Sequence, residues 1–172
     1  GASVTNTGIG LLIGTGEGPV ANVDVNNVDV SNPVEVGTEA GDGIKATISS
    51  TGSFSGLNLD VNTRGIDVEG TDDAQGNVHD PISIENNTFE DADIGVNIFG
   101  GDQFEIENND FSSLDSTDTV AVRIDSFFSE NPRHPIEGAP NVNLDTVLNN
   151  NTFDSNAEVD TNNENGNRIV IT

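Results

Sequence analysis

"ISIENNTFEDADIGVNIFGGDQFEIENNDF", residues 82 to 111, states one phrase twice. Ile84-Glu85-Asn86-Asn87-Thr88-Phe89 returns as Ile106-Glu107-Asn108-Asn109-Asp110-Phe111, with every position displaced by the same interval. Within each copy apolar and polar residues alternate, which is the period of a strand. The Asn-Asn pair between them is turn chemistry, because Asn tolerates positive φ and its short amide bonds to nearby backbone. Strand and turn recurring at a fixed interval describe a solenoid in which each repeat makes one circuit and stacks on the circuit before it. One circuit cannot bury its apolar face alone. Stacked neighbours place Ile84 over Ile106 and Phe89 over Phe111, about 4.8 Å apart. The same offset sets Asn86 over Asn108 and Asn87 over Asn109, so that side-chain amides can bond along the stack as a ladder. A looser third copy, Asn150-Asn151-Thr152-Phe153, follows the second after almost twice that interval, read as nearly two circuits with a loop between them.

The rest of the chain carries the same texture. Val23-Asp24-Val25, Val28-Asp29-Val30, Val34-Glu35-Val36, Ile66-Asp67-Val68, Ile82-Ser83-Ile84 and Ile169-Val170-Ile171 are short apolar stretches rich in β-branched residues, the signature of strands. Between them, "GTGEGP", "GTEAGDG", "GTDDAQGN" and "FGGDQ" supply turns. Residues 102 to 130 hold no Gly or Pro, yet "FEIE" and "TVAVRI" alternate with period two, so this region also reads as strands. The 172 residues suit one domain, and 33% hydrophobic composition with eight Phe and no Trp or Tyr predicts a thin, regular core.

Asp and Glu number 30 against five Lys and Arg, a formal charge of -25. That charge argues against nucleic acid or an anionic membrane as partner and favours cations or saline surroundings. There is no Cys, hence no disulfide framework and no thiolate metal site. The sequence holds no apolar run of about 18 residues and no charged-then-apolar leader. It begins Gly-Ala-Ser and lacks Met, and is read as an exported, processed product, extracellular or at the cell surface.

"ISIENNTF", "FEIENNDF" and "LNNNTF", with Gly-Ile or Val-x-Val strands such as "DIGVNI" following them, resemble the repeats of right-handed parallel β-helix proteins, the pectate-lyase-like solenoids. The resemblance runs from about Ala21 to Phe153 and is clearest over 82 to 124. It implies an all-β fold: a right-handed parallel β-helix (β-solenoid) of about six to seven rungs of roughly 22 residues, one solenoid domain over 1 to 172. Drafted rungs are 21 to 43, 44 to 65, 66 to 81, 82 to 103, 104 to 125 and 141 to 163, with 1 to 20 and 164 to 172 as end segments. "SFFSENPRHPIEGAP", 126 to 140, breaks the period with three prolines and is expected to leave the solenoid as an inserted loop. The fold implies no single activity, since such solenoids serve as polysaccharide lyases, hydrolases and epimerases, tailspikes, adhesins and passive stalks.

Enzymes of this resemblance combine carboxylates, often with calcium, and a basic residue on one face. The nearest constellation here is His79-Asp80, Gly101-Asp102 and Arg123, each one repeat interval from the next. It departs from the enzymes' signatures: neither Gly-His-Gly nor Asp-Pro-His occurs, only His79-Asp80-Pro81. No catalytic residue is therefore assigned. Asp72, Asp93 and Asp115 recur at nearly the same interval and are expected to stack at one corner. Stacked like charges call for a counterion, and hard oxygen ligands suit Ca2+, so these three are the candidate metal ligands. Glu85 and Glu107 stack in the same way. Two sequons, Asn86-Asn87-Thr88 and Asn150-Asn151-Thr152, coincide with the Asn ladder, which explains them without sugar.

A structural or adhesive extracellular solenoid is the leading function, with itself as partner. The alternatives are a polysaccharide-active lyase or epimerase, and a carbohydrate-binding module, which would lack the Trp and Tyr that sugar-stacking faces use. Self-association into a fibre or surface layer is expected through strand addition by "RIVIT", residues 168 to 172, to a neighbour's open edge.

Overall fold

The structure is a computed structural model, and it describes residues 2–5, 8–14, 22–31, 41–48, 51–70, 82–99, 103–114, 119–125, 145–154, 158–162 and 168–171. Among these residues there is no helix. Strands follow one another as β1 (Ala2–Thr5), β2 (Ile9–Ile13), β3 (Val23–Asn26), β4 (Val28–Ser31), β5 (Asp42–Ile48), β6 (Gly52–Ser55), β7 (Asn58–Asp60), β8 (Arg64–Gly70) and β9 (Ile82–Glu85). The second half continues as β10 (Thr88–Glu90), β11 (Ile94–Phe99), β12 (Gln103–Glu107), β13 (Asp110–Ser113), β14 (Val120–Asp125), β15 (Asp145–Asn149), β16 (Thr152–Phe153), β17 (Glu158–Asn162) and β18 (Arg168–Ile171).

Every third strand pairs. Sheet A runs β1-β4-β7-β10-β13-β16, sheet B runs β2-β5-β8-β11-β14-β17, and sheet C runs β3-β6-β9-β12-β15-β18. All pairings are parallel, and the chain visits A, B and C in turn. The fold is a right-handed parallel β-helix of six rungs. The expected end segments, 1 to 20 and 164 to 172, contribute strands of their own, β1, β2 and β18, to the sheets.

Register settles what the repeat means. Ile106 pairs with Ile84, as the repeated phrase requires, and the Phe89 and Phe111 rings stack with centroids 4.7 Å apart. Ile44 and Ile66 share that interval, but it is the shortest one. Asp67 pairs with Asn97, 30 residues on, and Asp110 pairs directly with Thr152. The third phrase is therefore one circuit beyond the second rather than nearly two. The drafted rung 66 to 81 is likewise corrected, because Gly52 pairs with Ile82 and one circuit spans both.

The reason lies in the corners. From sheet C to sheet A the chain turns in one or two residues every time, so the phrase straddling that corner stays intact. The other two corners vary in length from circuit to circuit, and the strands on either side still pair in parallel. The loop expected at 126 to 140 lies between β14 and β15, outside the described residues.

The C-to-A corner is built by a left-handed residue in each circuit: Asn27 (φ 52), Gly56 (φ 62), Asn86 (φ 56), Asn108 (φ 56) and Asn150 (φ 52). Gly and Asn are the residues for which that conformation is cheap. In the later circuits the next residue faces inward. Asn109 Nδ2 donates to Asn151 Oδ1 and Asn87 Nδ2 to Asn109 Oδ1, each at 3.0 Å. The same amides cap backbone: Asn87 N–H donates to Asn109 Oδ1 at 3.0 Å, and Leu57 N–H to Asn87 Oδ1 at 3.0 Å. The predicted ladder thus spans Asn87, Asn109 and Asn151, and an apolar Leu57 ends it.

Inside, each sheet contributes columns of one side chain per rung. Sheet A stacks Val30, Leu59 and Phe89, continued by Phe111 and Phe153, whose centroids are 5.5 Å apart. Phe54, Ile84 and Ile106 line sheet C, and Ile44, Ile66, Val96 and Val122 line sheet B, all without solvent exposure. At the entry to sheet B a glycine column forms. A Cβ on Gly95 would lie 2.6 Å from Phe111 Cδ1 and 2.7 Å from the Ala121 carbonyl oxygen. Ala121 holds the next place in that column, and there the pairing with β17 shifts register between Val120 and Val122. Gly95→Ala is expected to cost about 2 kcal/mol through overpacking, read as a lowered midpoint of chemical denaturation with an unchanged slope.

Candidate functional site

Sheet B alternates buried apolar residues with outward polar ones. Over the first five circuits its outward register runs Leu12, Lys45, Asp67, Asn97 and Arg123. Beside this column Asp42 and Arg64 face each other from adjacent strands. Arg64 grips Asp42 with both prongs, Nε donating to Oδ1 and Nη2 to Oδ2, each at 2.8 Å. Its third nitrogen, Nη1, lies 3.0 Å from Asp67 Oδ2. Asn97 Nδ2 donates to Asp67 Oδ1 at 2.7 Å. Lys45 Nζ stands 4.0 Å from Asp67 Oδ2, and being nearly half exposed it adds little.

Burial sets the electrostatics. Asp42 is 1% exposed, and desolvation pushes its carboxyl above the ordinary carboxylate value, although the Arg64 fork pulls it part of the way back. Burial also opposes the charge on Arg64, but contact with Asp42 and Asp67 overcomes it and holds the guanidinium above its ordinary value. Every carboxylate oxygen of Asp42 and Asp67 faces a donor, so the network braces three consecutive circuits.

Arg64→Met tests that brace. It leaves Asp42 buried without its partner, and is expected to destabilise by about 2 kcal/mol, less than a fully buried pair because Arg64 is partly solvated. Without Arg64 the Asp42 pKa climbs further. A carboxyl whose folded pKa is raised contributes stability below its unfolded pKa and loses it as pH rises through the folded one. The deficit against the parent chain should therefore shrink as pH falls from 7 towards 4, which thermal melts across that range measure.

The sequence-predicted site residues fare differently. Asp93 is exposed at the corner before β11, where its neighbours along the stack are Thr63 and Thr119. Asp72 and Asp115 lie outside the described residues, as do His79, Asp80, Gly101 and Asp102. Arg123 pairs in register with Asn97 and Asp160 rather than with Gly101. The cause is length: the turn between β13 and β14 is longer than that between β10 and β11, so sheet B repeats here at a wider interval than the phrase in sheets C and A. Glu85 and Glu107 do pair in register. Among the described residues no three carboxylate or imidazole groups gather closely enough to hold a metal ion. The Asp42–Arg64–Asp67 cluster was not singled out from the sequence, although its signal was there: opposite charges at 42 and 64 stand at the phrase's own interval.

Comparison of the chain with family models, with curated proteins and with solved structures returns no match.

Proposed function

We propose that this chain is an extracellular structural or adhesive solenoid that associates with further copies of itself. The observation behind the reading is the continuity of the stack. Six circuits share three parallel sheets, and the circuits holding Phe89, Phe111 and Phe153 add a stacked Phe column and an amide ladder. Such a body is a rigid rod whose length grows with each circuit, and its charge is overwhelmingly acidic. Within the larger group of β-solenoids we assign it to the pectate-lyase-like type, on the strength of three sheets per circuit and the Asn ladder at the two-residue corner.

Two copies of a chain carrying -25 repel, so assembly calls for screening or for cations between them. Glu85 over Glu107 is one pair of stacked carboxylates that a divalent cation would relieve, and Ca2+ is the proposed counterion, with Asp72, Asp93 and Asp115 as further ligand candidates. The proposed contact is strand addition through residues 168 to 172, whose strand β18 pairs with β15. Electron microscopy of the purified chain tests this. Filaments should form with Ca2+ more readily than with Na+ at equal ionic strength, and a chain lacking 168 to 172 should not form them. Dispersed single rods under all these conditions would overturn the self-association.

One observation favours a second reading, a polysaccharide-active lyase or epimerase. Lys45 and Arg64 sit on sheet B beside Asp42 and Asp67, and Arg123 lies on the same sheet with Asn97 between it and Asp67, an array that an acidic sugar chain could meet. Depolymerisation of a uronate polysaccharide that disappears in Arg123→Ala or His79→Ala would replace the scaffold reading with this one.

A further inference from the structure

The structure separates two roles that the sequence runs together. In each Asn-Asn corner the second amide forms the ladder, and Asn87 and Asn109 are both buried at 1% exposure. The first Asn, in the left-handed conformation, is exposed: Asn86, Asn108 and Asn150 all face solvent. The sequons Asn86-Asn87-Thr88 and Asn150-Asn151-Thr152 begin at the first residue. The buried ladder therefore accounts for Asn87 and Asn151; of the two residues that would carry sugar, Asn150 makes only an exposed bond to Asn108, and neither bond involves the Thr two places on. The corner itself does not require that Thr, since the circuit between them has Asp110 at the equivalent position.

We propose that Asn86 and Asn150 are N-glycosylation acceptors, which places two glycans on the C-to-A edge of the solenoid. The inference rests on export of the chain through a compartment holding a glycosyl donor. In the transfer the Asn amide nitrogen forms a bond to C1 of the first sugar of a polyprenyl-pyrophosphate-linked oligosaccharide. The bond from that carbon to the pyrophosphate oxygen breaks, the lipid pyrophosphate leaves, and the amide gives up one proton to base. Atoms and charge balance without any redox partner.

Three features of the folded chain accommodate the product. The acceptors are exposed, so a bulky substituent extends outward without opening the core. The corner turns in one or two residues in all five of its occurrences, so no insertion at that corner overhangs it. Asn86 and Asn150 stand two circuits apart on either side of Asn108, about 10 Å along the stack. In the folded chain Asn150 Nδ2 donates to Asn108 Oδ1 at 2.7 Å. Attachment to Asn150 leaves one amide proton on that nitrogen, so this bond can persist.

The test uses the full chain secreted from a eukaryotic host and analysed by intact mass and by peptide mapping after peptide N-glycosidase treatment in heavy-oxygen water. The expected result is glycan on Asn86 and Asn150, none on Asn108, and a β-rich circular dichroism spectrum matching that of unglycosylated chain. Asn86→Gly should remove one glycan and keep the fold, because Gly56 already occupies that place one circuit earlier. Thr88→Ala should remove the same glycan while leaving Asn86 in position. A folded, secreted chain with both asparagines unmodified overturns the assignment, as does a glycosylated chain that has lost its strand spectrum. Either result leaves the scaffold reading standing, since that is judged by filament imaging of unglycosylated protein.

Discussion

Asn109→Ala is expected to lower stability by about 4 kcal/mol, one of the two largest single-residue effects we predict, because each buried donor or acceptor left unpaired costs about 1–3 kcal/mol. The Asn109 side chain is buried and makes four hydrogen bonds. It accepts from Asn87 N–H and from Asn87 Nδ2, and donates to the Ile84 carbonyl oxygen at 2.8 Å and to Asn151 Oδ1. Truncation leaves these groups facing a void, with some recovery as water enters. For a chain of this size the loss corresponds to a fall in Tm of roughly 10 °C. The neighbouring Asn108→Gly should shift Tm by no more than about 2 °C, because its bond from Asn150 is exposed to competing water and Gly supplies the left-handed backbone. Equal effects at 108 and 109 would show that the ladder is not what secures this corner.

Phe111→Ala should destabilise by about 4 kcal/mol for a different reason, since large-to-small changes at sites that cannot collapse cost about 3–5 kcal/mol. Its ring is wholly buried and lies between Phe89 and Phe153, nearly parallel to both. Removing it deletes one of the largest side chains of that circuit. It also interrupts a column whose neighbours are fixed by strand register, so the walls cannot close on the gap. Phe111→Leu, which keeps most of the volume, should recover more than half of that difference. Chemical denaturation of the three proteins measures both values. If the two variants were equally destabilised, ring stacking rather than volume would be the main contribution.

Stability that depends on repetition also explains which readings of the sequence succeeded. Ile84 over Ile106, Phe89 over Phe111 and the Asn ladder were legible because the phrase spans the one corner that never grows beyond two residues. At that corner sequence distance and spatial neighbourhood coincide. The positions expected to align at sheet B, Gly101 with Arg123, did not, because insertions at the other corners alter the interval without altering the fold. A fixed period works only where nothing is inserted. The same cause turned the long gap before Phe153 into one circuit.

The sequence by itself determined the strand period, the stacked corner and the thin core, because alternation and Asn-Asn turns act locally and one repeat can satisfy only the next. It also held the interval joining Asp42 to Arg64, though nothing local marks that pair among so many acids. Only the tertiary structure decided which of two adjacent amides turns inward. Asn86 and Asn87 are chemically identical, and what separates them is that a left-handed residue at the corner directs its own side chain to solvent and the next one into the stack. It likewise decided which circuits are neighbours across long insertions, since register is fixed by backbone hydrogen bonds and matched burial between strands, and neither depends on how much chain lies between them.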